Sequence, residues 1–382
     1  MNPSHPPRRL LMTTDAVGGV WDYSLKLCRA LRPFDIEILL ATMGPLPRPD
    51  QRAAAAALSH VTLRESRFRL EWMDAPWDDV ERAGEWLLKL ERRFRPEIIH
   101  LNGYAHAALA WSAPTLIVAH SEVGSWWRAV RGGDAPADWG RYRSAVQAGL
   151  AAADTVVAPS RAMLDALEFE YGSLRRAGVI ANACACDDFE PTRKEQCVLS
   201  VGRLWDEAKN AMTLAAAASR LSWPVRLVGD TTLPDGTAAA AAESWPNVEL
   251  LGRRPREEVV RLFRQAAIYA LPARYEPFGL SVLEAAHAGC ALVLGDIPSL
   301  RENWDEAAVF VPPNERDCLV AAVERLVNDD QLRAIFGERA RHRAATYTVD
   351  KMAAQYVATY ARMLTSRSHH GSPRPEPLEI DA

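Results

Sequence analysis

Through the first half of the chain, short apolar runs alternate with amphipathic stretches. The runs at 10–14, 36–41, 98–100, 116–119 and 155–158 are of strand length, whereas stretches such as 23–31 space their apolar residues at helical intervals. This rhythm predicts βαβ units on a parallel sheet. It restarts after the charged stretch 187–196, with runs at 197–201, 225–229, 248–251, 268–271, 291–294 and 309–311, and so predicts a second α/β domain. The expected division is a first domain over 1–190 and a second over 191–346, with a cleft between them where ligands of such sheets bind. Helical spacing dominates from 315 to 364 and breaks near Tyr347, which sets off a last helical segment over 347–365. The remaining residues, 366–382, lack apolar periodicity and are expected to be disordered.

Composition agrees with two ordinary domains: 382 residues, 48% hydrophobic and 25% charged, are too many for one comfortable core. A formal net charge of -4, with acids and bases interspersed, excludes the electrostatic footprint of a nucleic-acid partner. The six cysteines include no Cys-x-x-Cys pair, and only Cys184 and Cys186 lie close together, which fits reduced thiols in a cytoplasmic protein. Arg8 and Arg9 precede an apolar run too short for a signal-peptide core or a membrane span. Lys26, Arg29 and Arg32 form a small basic stripe, enough for at most peripheral, transient membrane contact.

Candidate chemistry concentrates in the second half. Residues 198–210, VLSVGRLWDEAKN, place Gly202, Arg203 and Lys209 between an apolar strand and a helix beginning near Asn210. A glycine at a strand end lets backbone approach a phosphate, a guanidinium binds phosphate oxygens in pairs, and the lysine adds a compact charge. No Asp-x-Asp pair occurs in the chain, so the design in which carboxylates hold a divalent metal under a diphosphate is not spelled out. In 271–303, LPARYEPFGLSVLEAAHAGCALVLGDIPSLREN, Glu276 falls in a loop and Glu284 in a helix opening near Ser281. Phe278, Gly279 and Leu280 lead into that helix, and their backbone N–H groups are expected to be free for a phosphate or hydroxyl. Glu284 suits the bridging of ribose hydroxyls. Near the start, Gly18 and Gly19 join the first strand to the first helix, where backbone and ligand can come close.

Together these residues resemble the retaining glycosyltransferases of family 4, which share the GT-B fold of two Rossmann-like domains facing across a cleft. The likeness runs from about Asp15 to about Leu364. It implies that Arg203 and Lys209 hold the donor diphosphate, Glu276 the hydroxyls of the transferred sugar and Glu284 the ribose. It further implies that Gly18, Gly19, Gly202, Phe278, Gly279 and Leu280 line the donor site, that Arg253 belongs to the turn against the nucleobase, and that His120 stands near the reacting carbon. The implied reaction transfers a hexose from a nucleoside diphosphate sugar to a sugar, lipid-linked or small-molecule acceptor, with retention and with no cofactor or metal. The last helical segment is implied to cross back to the first domain.

Other residues carry blander readings. Trp72, Trp77, Trp126 and Trp127 read as loop or loop-edge residues that favour packing over sugar stacking, and His100 and Asn102 as structural residues at a strand end. At Asn182-Ala183-Cys184 an alanine stands where many of the resembling enzymes carry glycine, so Asn182 is left outside the site. A non-catalytic sensor of nucleotide sugars, or an assembly partner, would carry the same residues.

Overall fold

The computed structural model describes residues 5–185, 189, 192–232 and 245–369, with side chains to residue 366. Both halves are parallel sheets. The first consists of β1 (Arg9–Asp15), β2 (Glu37–Met43), β3 (Val61–Glu65), β4 (Ile98–Leu101), β5 (Thr115–Val118), β6 (Thr155–Ala158) and β7 (Ala177–Val179), ordered β3-β2-β1-β4-β5-β6-β7. The second consists of β8 (Glu195–Val201), β9 (Val225–Val228), β10 (Val248–Gly252), β11 (Ala266–Leu271), β12 (Ala291–Gly295) and β13 (Ala308–Val311), ordered β10-β9-β8-β11-β12-β13. The boundary at 190/191 lies outside the described residues.

Strands buried on both faces read as continuous apolar runs, and the alternation along them sorts side chains between two cores. On β1, Leu10 and Met12 join Ile38 and Leu40 on one face, while Leu11 joins Leu39 and Ala41 on the other. The second sheet divides in the same way, with Leu199 and Tyr269 on one face and Val198 and Ile268 on the other. Two strands have no counterpart in the apolar pattern, β3 and β7. Both are edge strands, exposed and short, so they lack the apolar run that two covered faces impose.

The last helix, Val349–His369, packs on the Gly19–Leu31 helix and closes one core of the first sheet with Met352, Tyr356, Tyr360 and Met363. It continues past the expected limit at 365. Near that limit the Thr365 hydroxyl donates to the Ala361 carbonyl at 3.0 Å and the Ser366 hydroxyl to the Arg362 carbonyl at 3.0 Å. The rest of the end expected to be disordered, 370–382, lies outside the described residues. No helix among the described residues is long and apolar enough to cross a membrane.

In each sheet the strand order reverses next to its first strand, between β1 and β4 and between β8 and β11. Parallel sheets leave a crevice beyond the strand ends at such a point. The residues that follow β1, β4, β8 and β11 therefore occupy the two places where ligands are received, and the two crevices face each other.

Candidate active site

On the second sheet, β8 ends at Val201, Gly202 follows it, and the chain turns through 203–210. Asp206 holds the turn, its carboxylate accepting from the Ala208 N–H at 3.0 Å and from Arg203 Nη2 at 2.6 Å. Burial alone would raise the Asp206 carboxyl, but the Arg203 and Lys209 charges overcome it and hold it below the ordinary value. Asn210 takes the left-handed φ of 56° that ends the turn and starts the Ala211–Ala218 helix, and its amide binds the carbonyls of Pro272 and Pro313. The ends of β8 and β9 come so close that a Cβ on Gly229 would lie 1.7 Å from the Gly202 oxygen.

Arg203 lies over Trp205, its guanidinium 5.3 Å from the ring centroid, and its Nε has no partner among the described residues. It also meets the first half: a Cβ on Gly18 would lie 3.2 Å from Arg203 Nη1. Gly18 has φ +85°, so the Gly18–Gly19 turn both needs the left-handed conformation and leaves room for the arginine. Gly19 packs near Leu280. Asp15, which opens this turn, is buried, and burial raises its carboxyl to about 6 despite the Val17 N–H and the Arg203 charge.

Lys209 Nζ pairs with one oxygen of Glu276, and the other oxygen accepts the Gly279 N–H at 3.0 Å. The Gly279 N–H, expected to be free, is therefore engaged by the neighbouring carboxylate, which caps the turn into the Leu280–His287 helix. The Phe278 ring is buried edge-to-face against Tyr347 and its carbonyl accepts from Asn303, so its side chain belongs to the core.

The loop around Glu276 is gripped by the first half. Tyr275 Oη accepts from the Glu122 N–H at 3.1 Å and lies 3.0 Å from Ser125 Oγ and 3.3 Å from Met163 Sδ. On the other side of Glu276, the Pro277 carbonyl accepts from Ser160 Oγ at 2.7 Å. A second tie links the Leu280–His287 helix to the Gly19–Leu31 helix, where Glu284 is paired with Lys26 at 3.0 Å and with Arg256 at 2.9 Å. Burial would raise the Glu284 carboxyl, but these two charges hold it below the ordinary value. Lys26 thus leaves the proposed membrane stripe and turns into the cleft, while Arg29 stays exposed.

Arg253 follows β10 and pairs with Asp230, just beyond β9, at 3.2 Å, both half-exposed. His120 lies two residues beyond β5, with Nε2 2.9 Å from Asn102 Oδ1. Burial lowers its imidazole to about 3. His100 is enclosed between Tyr360 and Tyr23, in keeping with a structural part, whereas Asn102 touches His120 directly. Trp126 and Trp127 lie within the Val123–Arg131 helix and not at a loop, whereas Trp77 stands at the loop edge that opens the Trp77–Phe94 helix. Trp126 Nε1 reaches Asp206 at 3.4 Å across the cleft. Asp206, Tyr275, Arg256 and Lys26 were not singled out for the site from sequence. Asp206, three residues after Arg203, Arg256, three after Arg253, and Tyr275, next to Glu276, had a local signal, whereas Lys26 is far from them in sequence.

The arrangement offers an anion four cations, Arg203, Lys209, Lys26 and Arg256, against the carboxylates of Asp206, Glu276 and Glu284. Cations already held in place need little reorganisation when negative charge develops beside them. Comparison with known proteins bears on the family and the fold. Residues 187–343 match the family model described as Glycosyl transferases group 1, and residues 17–187 match the one described as Glycosyltransferase Family 4. A glycogen synthase of Mycobacterium tuberculosis is 28% identical over 350 residues, covering 85% of this chain and 82% of the relative. The O-antigen chain mannosyltransferase B of Escherichia coli is 28% identical over 155 residues, 39% of this chain and 40% of that protein. The solved sucrose-phosphate synthase of Thermosynechococcus elongatus superposes with a TM-score of 0.79 at 19% identity, covering 94% of this chain and 100% of that one.

Proposed function

The chain belongs to the family 4 glycosyltransferases of the GT-B fold, and on that premise we propose that it moves a hexose from a nucleoside diphosphate sugar to an acceptor hydroxyl, with retention and without a metal. The observation that carries this reading is the convergence of Arg203 and Lys209, each fixed by a carboxylate, at the β8 crevice and opposite Gly18. Cleavage of the sugar–phosphate bond leaves negative charge on the diphosphate, and these two cations would stabilise it as it forms. Glu276, beside Lys209, would take sugar hydroxyls. Glu284 would take the ribose by exchanging part of its pairing with Lys26 and Arg256. Arg253, with Asp230, would border the nucleobase, and His120 would face the reacting carbon from the first half.

Ties between the halves at Tyr275, Ser160 and Lys26 would keep water from the donor while the acceptor hydroxyl attacks. In a front-face displacement the acceptor proton passes to the departing diphosphate oxygen, so no protein carboxylate is needed as a covalent nucleophile. Acceptors of this site are sugars, glycolipids or small molecules with a free hydroxyl.

The test is a donor panel in EDTA: UDP-glucose, UDP-galactose, UDP-N-acetylglucosamine, GDP-mannose and ADP-glucose, with nucleoside diphosphate release and thermal stabilisation as readouts. One donor is expected to be turned over, with loss of activity in Lys209→Ala and Arg203→Ala. Silence from every donor would sink the enzymatic reading, and abolition by EDTA would sink metal independence.

A further inference from the structure

We infer that Asn102 is a positioning residue for His120: it locks the imidazole in the tautomer protonated on Nε2, so that Nδ1 meets a bound ligand as a hydrogen-bond acceptor. The inference rests on the reading that His120 lines the reacting site, but its structural half stands apart from it.

The proton assignment follows from the surroundings of the amide. Asn102 comes directly after β4 and its Nδ2 lies 2.7 Å from the Thr13 carbonyl, a group that can only accept. The same Nδ2 lies 3.2 Å from Ser24 Oγ, whose own hydrogen is donated to Thr14 Oγ1 at 2.9 Å. Turning the amide over would set its carbonyl oxygen against the Thr13 carbonyl, two acceptors at hydrogen-bond distance. The backbone adds a further anchor, the Asn102 N–H donating to Thr13 Oγ1 at 3.0 Å. Oδ1 is therefore the atom that faces His120 Nε2 at 2.9 Å, and a carbonyl oxygen can only accept. Nε2 must carry the hydrogen.

The other ring nitrogen is then left with its lone pair. Nδ1 of His120 has no hydrogen-bond partner among the described residues, and the ring is only half-buried. The Tyr23 ring, 4.4 Å away at 67°, stands edge-on to the imidazole and limits its rotation. The neighbouring His100 also interacts with the Asn102 side chain, while its two nitrogens lie 2.7 Å from the Tyr360 hydroxyl and 3.3 Å from that of Tyr23. A hydroxyl of a ligand in the cleft can donate to Nδ1 of the locked ring. In an unlocked ring, the population with hydrogen on Nδ1 presents a donor there instead and loses that bond.

The experiment uses the full chain with 15N-labelled histidine. Nitrogen shifts of His120 near neutral pH are expected to show a protonated Nε2 and a bare Nδ1 in the unaltered protein. A hydrogen on Nδ1, or an even mixture, overturns the inference without any variant being made. In Asn102→Ala the tautomers are expected to mix, and an unchanged pattern in a folded variant overturns it equally. With the donor found active, Asn102→Ala is expected to lower kcat/KM by about tenfold, the loss of one hydrogen bond's worth of positioning, and to lower it no further in a His120→Ala background. Equal losses in both backgrounds mean a merely structural asparagine. If no donor is turned over while the tautomer is locked and released as described, the positioning stands and the enzymatic reading falls.

Discussion

Replacing Glu284 by glutamine keeps the size of the side chain and removes the carboxylate that forms ion pairs with both Lys26 of the first half and Arg256 of the second. Removing one partner of a fully buried ion pair costs about 3–5 kcal/mol, because the abandoned charge stays out of water. Two features reduce that figure here. The Arg256 side chain is 42% exposed and can rehydrate, against 14% for Lys26. The Asp22 charge also favours the charged form of Lys26. The expected cost of Glu284→Gln is therefore about 2–3 kcal/mol, carried mainly by the stranded lysine. Denaturant unfolding followed by tryptophan fluorescence measures it, with a second probe to check that both halves unfold together. In a Lys26→Met background the same substitution should cost about 1–2 kcal/mol less, since the lysine charge is no longer there to be stranded. A cost below about 0.5 kcal/mol, or an equal cost in both backgrounds, would refute the reasoning.

Two further outcomes follow from the Gly18 turn. Burial raises the Asp15 carboxyl from 3.8 to about 6, so the folded chain disfavours its charge above that pH and the cost fades as pH falls through 6 towards the unfolded value. Asp15→Asn should therefore raise stability at about pH 8 by roughly 2–3 kcal/mol and lose that advantage below about pH 4, measured by unfolding at both; an equal effect at both pH values would contradict it. Gly18→Ala should cost about 1–2 kcal/mol for its φ of +85° and raise the donor KM by crowding Arg203, whereas unchanged unfolding and kinetics would show that the turn tolerates a side chain.

The two-sheet plan was legible because strands covered on both faces leave apolar runs that helices at that length do not. β3 and β7 escaped because an edge strand needs no such run. The clustered charges Arg203, Lys209, Glu276 and Glu284 were legible because they follow strand ends within two short stretches. Their partners were not: Lys26 and Glu284 are 258 positions apart, and only the folded chain shows that a residue read as part of a surface stripe completes the cleft. The free N–H at Gly279 failed for a related reason, since Glu276, three residues earlier, turns back to use it. Trp126 and Trp127 were assigned to loops because the Val123–Arg131 helix is short and begins with Glu122 folded over its own first turn.

The grip on Tyr275 and Pro277 gives domain motion a particular meaning in this chain. Glu276 sits between two residues that are fastened to the opposite half, so separating the halves pulls on the carboxylate's own backbone and does more than widen the space around it. The second half by itself would keep the Arg203 turn and the Arg253 edge but would release the Glu276 loop from two of its anchors. The position of the Glu276 loop thus depends on both halves, whereas the Asp206 hold on Arg203 lies within the second alone.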